Sequence, residues 1–565
     1  MSADTMAART TEPVEPPKTT ANLSRRWAAV LAVVVPTLVT CVHALGYGRW
    51  LVDDAGITFA YARSVAQGNG PVLQPGATAV EGYSDPAWLG VLTVGRWLGL
   101  FDHGAWFGIP DYVLFPKGIA LLCCIGVFVA LYRTAAAVTE RPALVAGVAG
   151  VITALVPSFV IWCFSGLENS LLALAVVSLA SVLVRAAASG TLARPGVAIA
   201  CGALAALAAL TRPDGALYAA AYPLVALLFV TRPALRRTLW VVPLSVVTFL
   251  IPWGAYLAWR IAEFDAVVPN TALAKGQSAP TVDSIRKAVD LASYLGWPLV
   301  LVAVVCLGAA LARPSRTRTG LVALLVPLVL AIIGFSVLLQ DWMPQYRFAT
   351  PVWPLAALAT SIAAAHLLPQ LAVRGRAALA VLTAIACTLA GISWWQNYDE
   401  FSTGPTVPLC VVVQQAQEYD GYARIMGVRD ATVLLPDIGG TALAGNLRVA
   451  DVAGLADKRI AQFWSDEDMA GLRDYVFTEL QPAVIHIHGS WANATGLLDD
   501  PRMQTDYLRL RWTSATGANL VRRDLIPNPA VQDELIKFAR HSATVQAQLG
   551  PQRTRSCGDV LRPEA

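Results

Sequence analysis

Runs of uncharged apolar residues long enough to cross a lipid bilayer recur along this chain as far as residue 395, and they limit its fold more than any other feature. A helix needs roughly 20 apolar residues to span the hydrocarbon. By that measure the candidate spans are Trp27–Leu45, Val113–Leu131, Ala143–Trp162, Leu167–Val184, Gly196–Leu210, Leu217–Val230, Leu239–Trp259, Leu295–Leu311, Leu321–Leu339, Val352–Leu368 and Ala377–Trp395. The pattern predicts an α-helical polytopic membrane protein with about eleven transmembrane helices. Pro86–Phe101 is a further apolar stretch, interrupted by Arg96; it reads as an interfacial or re-entrant helix, with a full span as the alternative. Composition agrees, with 56% hydrophobic and 14% charged residues against about 25% charged in soluble domains.

Basic residues assign the sides. Alternate loops carry Arg133/Arg141, Arg185/Arg194, Arg232/Arg236/Arg237, Arg313/Arg316/Arg318 and Arg374/Arg376, with Arg25 and Arg26 before the first span. Cytoplasmic loops are enriched in Lys and Arg, so this set and the N-terminus face the cytoplasm. The complementary loops, and everything after Trp395, face outward. Residues 1–23 are polar and Pro/Thr-rich and read as a disordered cytoplasmic tail. No small-residue cleavage site follows the first run, which is therefore expected to stay as an anchor. A net charge of +4, with basic residues scattered in short loops and not gathered in a patch, makes nucleic acid a poor candidate partner. Abundant Ala, Val and Arg with few Lys point to a high-GC bacterium and its cytoplasmic (inner) membrane.

The membrane part, 24–395, includes a first outer loop at 46–112. From 396 to 565 polar residues rise, and short β-like runs appear at Ala431–Leu435, Leu447–Val452 and Ala483–Ile487, with a helical pattern at Asp466–Leu480. This predicts a soluble, extracytoplasmic α/β domain of about 165 residues. Gly439-Gly440 after Val433-Leu434-Leu435-Pro436-Asp437 lacks a Walker or Rossmann spacing and reads as a plain turn. His486 and His488 alternate on a strand with no third ligand nearby in sequence, and read as structural. Seven cysteines lie in apolar runs, where small-hydrophobe packing is the default. The other two, Cys410 and Cys557, are the candidate disulfide pair, since an oxidising outer compartment permits one. No CxxC pair or His/Cys cluster marks a metal site.

The placement of charge points to chemistry at the outer surface. Pumps and transporters hold ionisable residues within their spans and are often built from repeated halves. Here the middles of the spans are nearly free of charge, and His43 and His366 sit near span ends, so a lipid-linked sugar transporter or flippase is the weaker alternative. Acids and bases gather instead on the outer loops. Asp53 and Asp54 open the first loop as candidate general bases, each raising the other's affinity for a proton; capping of the following helix is the competing reading. Glu81 and Tyr83 belong to an acidic-aromatic patch, Glu81-Gly82-Tyr83-Ser84-Asp85. Arg212 (Thr211-Arg212-Pro213-Asp214-Gly215), Lys275 (after Pro269-Asn270) and Arg347 (after Asp341-Trp342) each stand at the outer end of a span, where a lipid-linked phosphate would meet them. Headgroup snorkelling is the competing reading for each. Glu168 adds a carboxylate at the same level, and Asn270, Asp341 and Trp342 complete the candidate substrate-binding set.

The ordered set DDAGITFAYARSVAQGNGPVLQPG, VEGYSDPAW, SGLEN, LTRPDG, PNTALAK, DWMPQYRF and VADVAGLADKRIA resembles the GT-C superfamily of polytopic glycosyltransferases. Within it, the set is most similar to bacterial enzymes of the mycobacterial terminal arabinofuranosyltransferase type. The resemblance runs from the first loop to about Ala461. It implies inverting transfer of a sugar, arabinofuranose or mannose, from a polyprenyl-phosphate carrier to a cell-envelope glycan or glycolipid on the outer face. An Asp of the first loop, Asp53 or Asp54, would be the base, and Lys275 and Arg347 match positions that engage the donor phosphate. The chain departs from the family's pattern with Asp53-Asp54-Ala55-Gly56, where an aromatic residue commonly follows DDA. It departs again with GATAVEGY in place of a GE-R-VE pattern. No cofactor is implied, a divalent cation held by Asp53, Asp54 or Glu81 being left open. A non-catalytic glycan-binding scaffold of an envelope-synthesis complex is the remaining alternative.

Overall fold

Proline and glycine decide which apolar runs become straight spans. The computed structural model describes residues 18–276, 282–339, 341–514 and 517–548. Among these, seven helices are long and apolar enough to cross a membrane: Arg25–Leu45, Asp111–Val138, Asn169–Ala188, Arg232–Phe264, Arg316–Val337, Val352–Gln370 and Val373–Thr403. Two further apolar stretches are broken. Pro142–Leu155 meets Pro157–Cys163 at 75°, and Ser284–Leu295 meets Trp297–Leu311 at 99°. At the first break Val156 is extended (φ −70°, ψ 113°), because a residue preceding proline is driven out of the helical region. At the second, Gly296 adopts φ +89° ahead of Trp297-Pro298, a conformation open to glycine.

Counting each bent pair as one span gives nine among the described residues. The eleven expected from the sequence are reached only by adding the short helix Pro195–Thr211 and the run Leu217–Val230. The latter lies in a 3₁₀ segment, Pro213–Ala220, and a helix of eight residues, Ala221–Leu228. Arg212-Pro213 forces this: Arg212 is extended (φ −155°, ψ 145°) and ends the preceding helix. Pro86–Trp97 is a helix of 12 residues, about 18 Å long at 1.5 Å per residue, and too short to span. The first helix begins at Lys18, inside the segment assigned to the tail, and the last span runs on to Thr403, past the expected boundary at residue 395.

Beyond it lies a five-stranded sheet in the order Arg448–Asp451, Thr432–Leu435, Val484–Ile487, Gly517–Arg522, Tyr507–Ser514. The first three strands are mutually parallel, and the last two run antiparallel. The parallel three match the β-like runs of the sequence. The antiparallel pair was not foreseen: Tyr507–Ser514 carries Arg509 and Arg511 and buries only Tyr507 and Leu510, so no period-2 pattern marks it. Leu434, Ile485, Leu520, Ile460 and Leu472 form the core on one side of the sheet.

Candidate active site

The candidate site is organised by the helix Asp53–Ala66, which follows the first span. Its entry is an extended segment stitched on both sides: Val52 N–H donates to Ser165 O (3.0 Å), Leu409 N–H to Leu51 O (2.9 Å) and Asp53 N–H to Val407 O (3.0 Å). The helix start then packs at backbone contact against the helix Ile438–Ala444, which follows the strand Thr432–Leu435. A Cβ on Gly439 would lie 1.9 Å from the Asp53 carbonyl oxygen, and one on Gly56 would lie 2.6 Å from the Gly439 carbonyl carbon. Only glycine permits this approach.

That contact separates the two adjacent carboxylates. Asp53 is 3% exposed, and its oxygens accept from the Gly439 N–H (3.0 Å) and the Gly440 N–H (2.7 Å). Burial pushes its carboxyl well above the usual carboxylate range and Asp437 adds to this, against the lowering effect of the two glycine N–H groups. Asp54 keeps part of its surface accessible, and among the described residues no hydrogen bond or ion pair occupies it. Burial raises its pKa as well, opposed by Lys275 and Arg347 and assisted by Asp341 and Asp437. Asp54 is thus the carboxylate within electrostatic reach of these two cations.

Arg347 is 8% exposed; its Nε lies 2.6 Å from an Asp341 oxygen. Its guanidinium stands 4.8 Å from the Phe348 ring centroid, and Arg212 stands 4.0 Å from the same ring. Arg212 also reaches Asp214 (2.9 Å) and Glu168 (3.4 Å). One aromatic ring therefore holds two guanidinium groups from separate loops. Asp85 lies close by, its carboxylate accepting from Thr58 Oγ1 at 3.2 Å. Its neighbours include Glu168 and Arg347. Lys275 ends the short helix Asn270–Lys275 and is exposed.

Other expected residues have tethering positions. Asn270 donates to Gly454 O (2.6 Å) and Leu455 O (3.0 Å), and its N–H donates to Glu81 O (3.1 Å). Glu81 pairs with Arg260 (2.5 Å) and accepts from Tyr256 Oη (2.5 Å). Tyr83 packs edge-on to Tyr61, centroids 5.0 Å apart, while Trp342 is 55% exposed. Beside Glu81, an apolar cavity of 510 Å³ is lined by Tyr83, Leu89, Trp97, Pro252, Tyr256 and Trp259. Of the three carboxylates named for a divalent ion, Asp53 is held by two N–H groups and Glu81 by Arg260. Cys410 is disulfide-bonded; Cys557 lies outside the described residues.

Sequence reasoning missed Phe348, Arg260 and the Gly439-Gly440 clamp. The paired glycines after a strand were visible, but nothing local showed that their N–H groups face residue 53. It also missed that Asp437 joins His486 and His488, one ligand atom from each lying within 4.8 Å of the others. The third group, not nearby in sequence, lies just past the neighbouring strand Thr432–Leu435.

No protein-family model matches this chain, and no curated protein is similar to it in sequence. Its fold is similar to that of solved structures. ArnT from Cupriavidus metallidurans, bound to undecaprenyl phosphate, aligns with a TM-score of 0.52 and 15% identity over 88% of this chain and 99% of that one. In the apo state the same enzyme gives 0.53 and 14%, over 90% and 100%. The oligosaccharyltransferase AglB from Archaeoglobus fulgidus, in complex with an inhibitory peptide and a dolichol-phosphate, gives 0.52 and 11%, over 89% of this chain and 75% of that chain. The chain is therefore similar in fold to these two enzymes, along most of its length.

Proposed function

We propose that this chain is an integral membrane, inverting glycosyltransferase that moves a sugar from a polyprenyl-phosphate carrier to a cell-envelope glycan or glycolipid. Arabinofuranose is the first donor sugar to test and mannose the second. The observation that carries this reading is the division of labour between adjacent carboxylates: Asp53 is spent on the Gly439 and Gly440 N–H groups, and Asp54 stays unengaged toward Lys275 and Arg347. Asp54 takes the proton from the acceptor hydroxyl. The freed oxygen attacks the anomeric carbon opposite the phosphate, and the bond from that carbon to the phosphate oxygen breaks with its electrons going to the phosphate. Lys275, Arg347 and Arg212 stabilise that developing charge, which is where fixed cations act most strongly. The apolar cavity beside Glu81 suits the isoprenoid chain, and the C-terminal domain binds the acceptor on the outer face.

The test is transfer of label from a panel of radiolabelled polyprenyl-phosphate sugars to envelope glycans by purified protein in nanodiscs, beside Asp54→Asn and Asp53→Asn variants. Transfer abolished in Asp54→Asn with folding intact supports the assignment. Unchanged transfer in that variant removes Asp54 as base. No transfer from any donor, with glycan binding retained, replaces the enzyme by the scaffold reading.

A further inference from the structure

The C-terminal domain carries a second cluster of chemistry-bearing side chains that the transfer reaction does not use. His486 and His488 are two residues apart on one extended segment, so they share a face, and their ring centroids lie 5.2 Å apart. Asp437 follows the adjacent parallel strand Thr432–Leu435 and accepts a 2.7 Å hydrogen bond with His488 Nε2. Asp437 and His488 stand just past the carboxyl ends of neighbouring parallel strands, with His486 near the end of the second, the place where open α/β sheets bind ligands.

The hydrogen-bond chain behind His486 fixes which of its nitrogens is free. Glu418 offers only acceptors, already drawing Arg511 (2.7 Å) and Gln546 (2.9 Å). Asn519 must therefore turn its NH₂ toward Glu418 (3.1 Å) and its carbonyl oxygen toward His486 Nδ1 (2.6 Å). Nδ1 must then carry the proton, which leaves a lone pair on Nε2. That Nε2 is buried without a hydrogen-bond partner, in a residue 2% exposed. A buried imidazole lone pair, held in one tautomer by a hydrogen bond on its other nitrogen, is the arrangement that metal-binding histidines use.

We propose that Asp437, His486 and His488 bind one divalent transition-metal ion, of the zinc class that two imidazoles and a carboxylate favour, with a coordination position left open. The ion replaces the Asp437–His488 hydrogen bond and draws His486 Nε2 inward. Because Asp437 precedes the helix whose Gly439 and Gly440 hold Asp53, loading stiffens the seam between the C-terminal domain and the first loop. This site does not depend on the transferase reading.

The test uses tag-free, full-length protein in detergent, stripped with a chelator and reloaded with Zn²⁺. Expected are one zinc per chain by elemental analysis, a rise in Tm on loading, and two-imidazole scattering in the zinc X-ray absorption spectrum. His488→Ala abolishes retention, Asn519→Leu weakens affinity by about 10–100-fold as loss of an outer partner does, and His103→Ala, elsewhere in the chain, changes nothing. Absence of retained zinc in the wild type, or a spectrum without imidazole scattering, overturns the proposal. The spectrum of the wild type decides the matter even where a variant fails to fold.

Discussion

Replacing Gly439 by alanine tests the seam on which the site is built. The added methyl would lie 1.9 Å from the Asp53 carbonyl oxygen and 2.8 Å from its carbonyl carbon. Both are backbone atoms and cannot rotate away. Ordinary contact begins near 3.4 Å, so the helix Ile438–Ala444 must retreat by ~1.5 Å. Hydrogen bonds of 3.0 and 2.7 Å do not survive that displacement. Stranding a buried hydrogen-bonding group costs about 1–3 kcal/mol, so losing both bonds costs the seam ~2–6 kcal/mol. At about 2–4 °C per kcal/mol for a unit of roughly 150–250 residues, that is a Tm lower by at least about 4 °C. The assay is thermal unfolding of purified protein in detergent, with Gly90→Ala as control, since a Cβ there meets nothing within 4 Å. A Gly439→Ala protein that unfolds within a degree or two of wild type would refute the argument, because it would mean that the two helices do not touch as described.

Asp54→Asn is expected to cut transfer by about 10²–10⁴-fold, as loss of a general base does, at unchanged Tm; Asp53→Asn is expected to lower Tm, because an amide can satisfy only one of the two glycine N–H groups. Since burial raises the Asp54 pKa, the acid limb of kcat/KM should lie above the ordinary carboxylate range, activity rising with pH through it; an acid limb at or below that range would contradict the assignment. Arg347→Ala should lower kcat by about 10²–10³-fold, and Arg347→Lys should restore part of it, since Lys keeps the charge but not the planar fork; equal loss in both would point to packing against Phe348 instead. Asp451 is buried, and burial pushes its pKa up to about 7 against the pull of the Ala456 and Ala453 N–H groups. The native state therefore holds a proton that the unfolded chain releases near pH 3.9; the associated stability is present below that pH and lost as pH rises toward 7. A pH-titrated unfolding series should show this fall in wild type and a flatter one in Asp451→Asn.

Much of the candidate site was legible in the sequence, because charge at the end of an apolar run is conspicuous wherever it falls. Asp53, Asp54, Arg212, Arg347 and Lys275 stood out on that ground alone. What was hidden depends on backbone groups and on separation along the chain. The N–H groups that claim Asp53 belong to residues 386 and 387 positions away, and a backbone donor leaves no mark on a residue's identity. Phe348 reads as one more apolar residue at a span's edge until two arginines are seen over its ring.

The sequence by itself determined that this is a membrane protein built from apolar helices, since the hydrophobic effect acts through composition and period, both of which are local. The strand positions Ala431–Leu435, Leu447–Val452 and Ala483–Ile487 were readable for the same reason. The tertiary structure alone decided which of two identical neighbouring carboxylates is free. It decided too that Pro157 and Gly296 mark real breaks, while Pro243 and Pro252 stay inside a continuous helix. And it alone brought Asp437 to His486 and His488, because parallel strands distant in sequence become neighbours only when the sheet forms and its edges align.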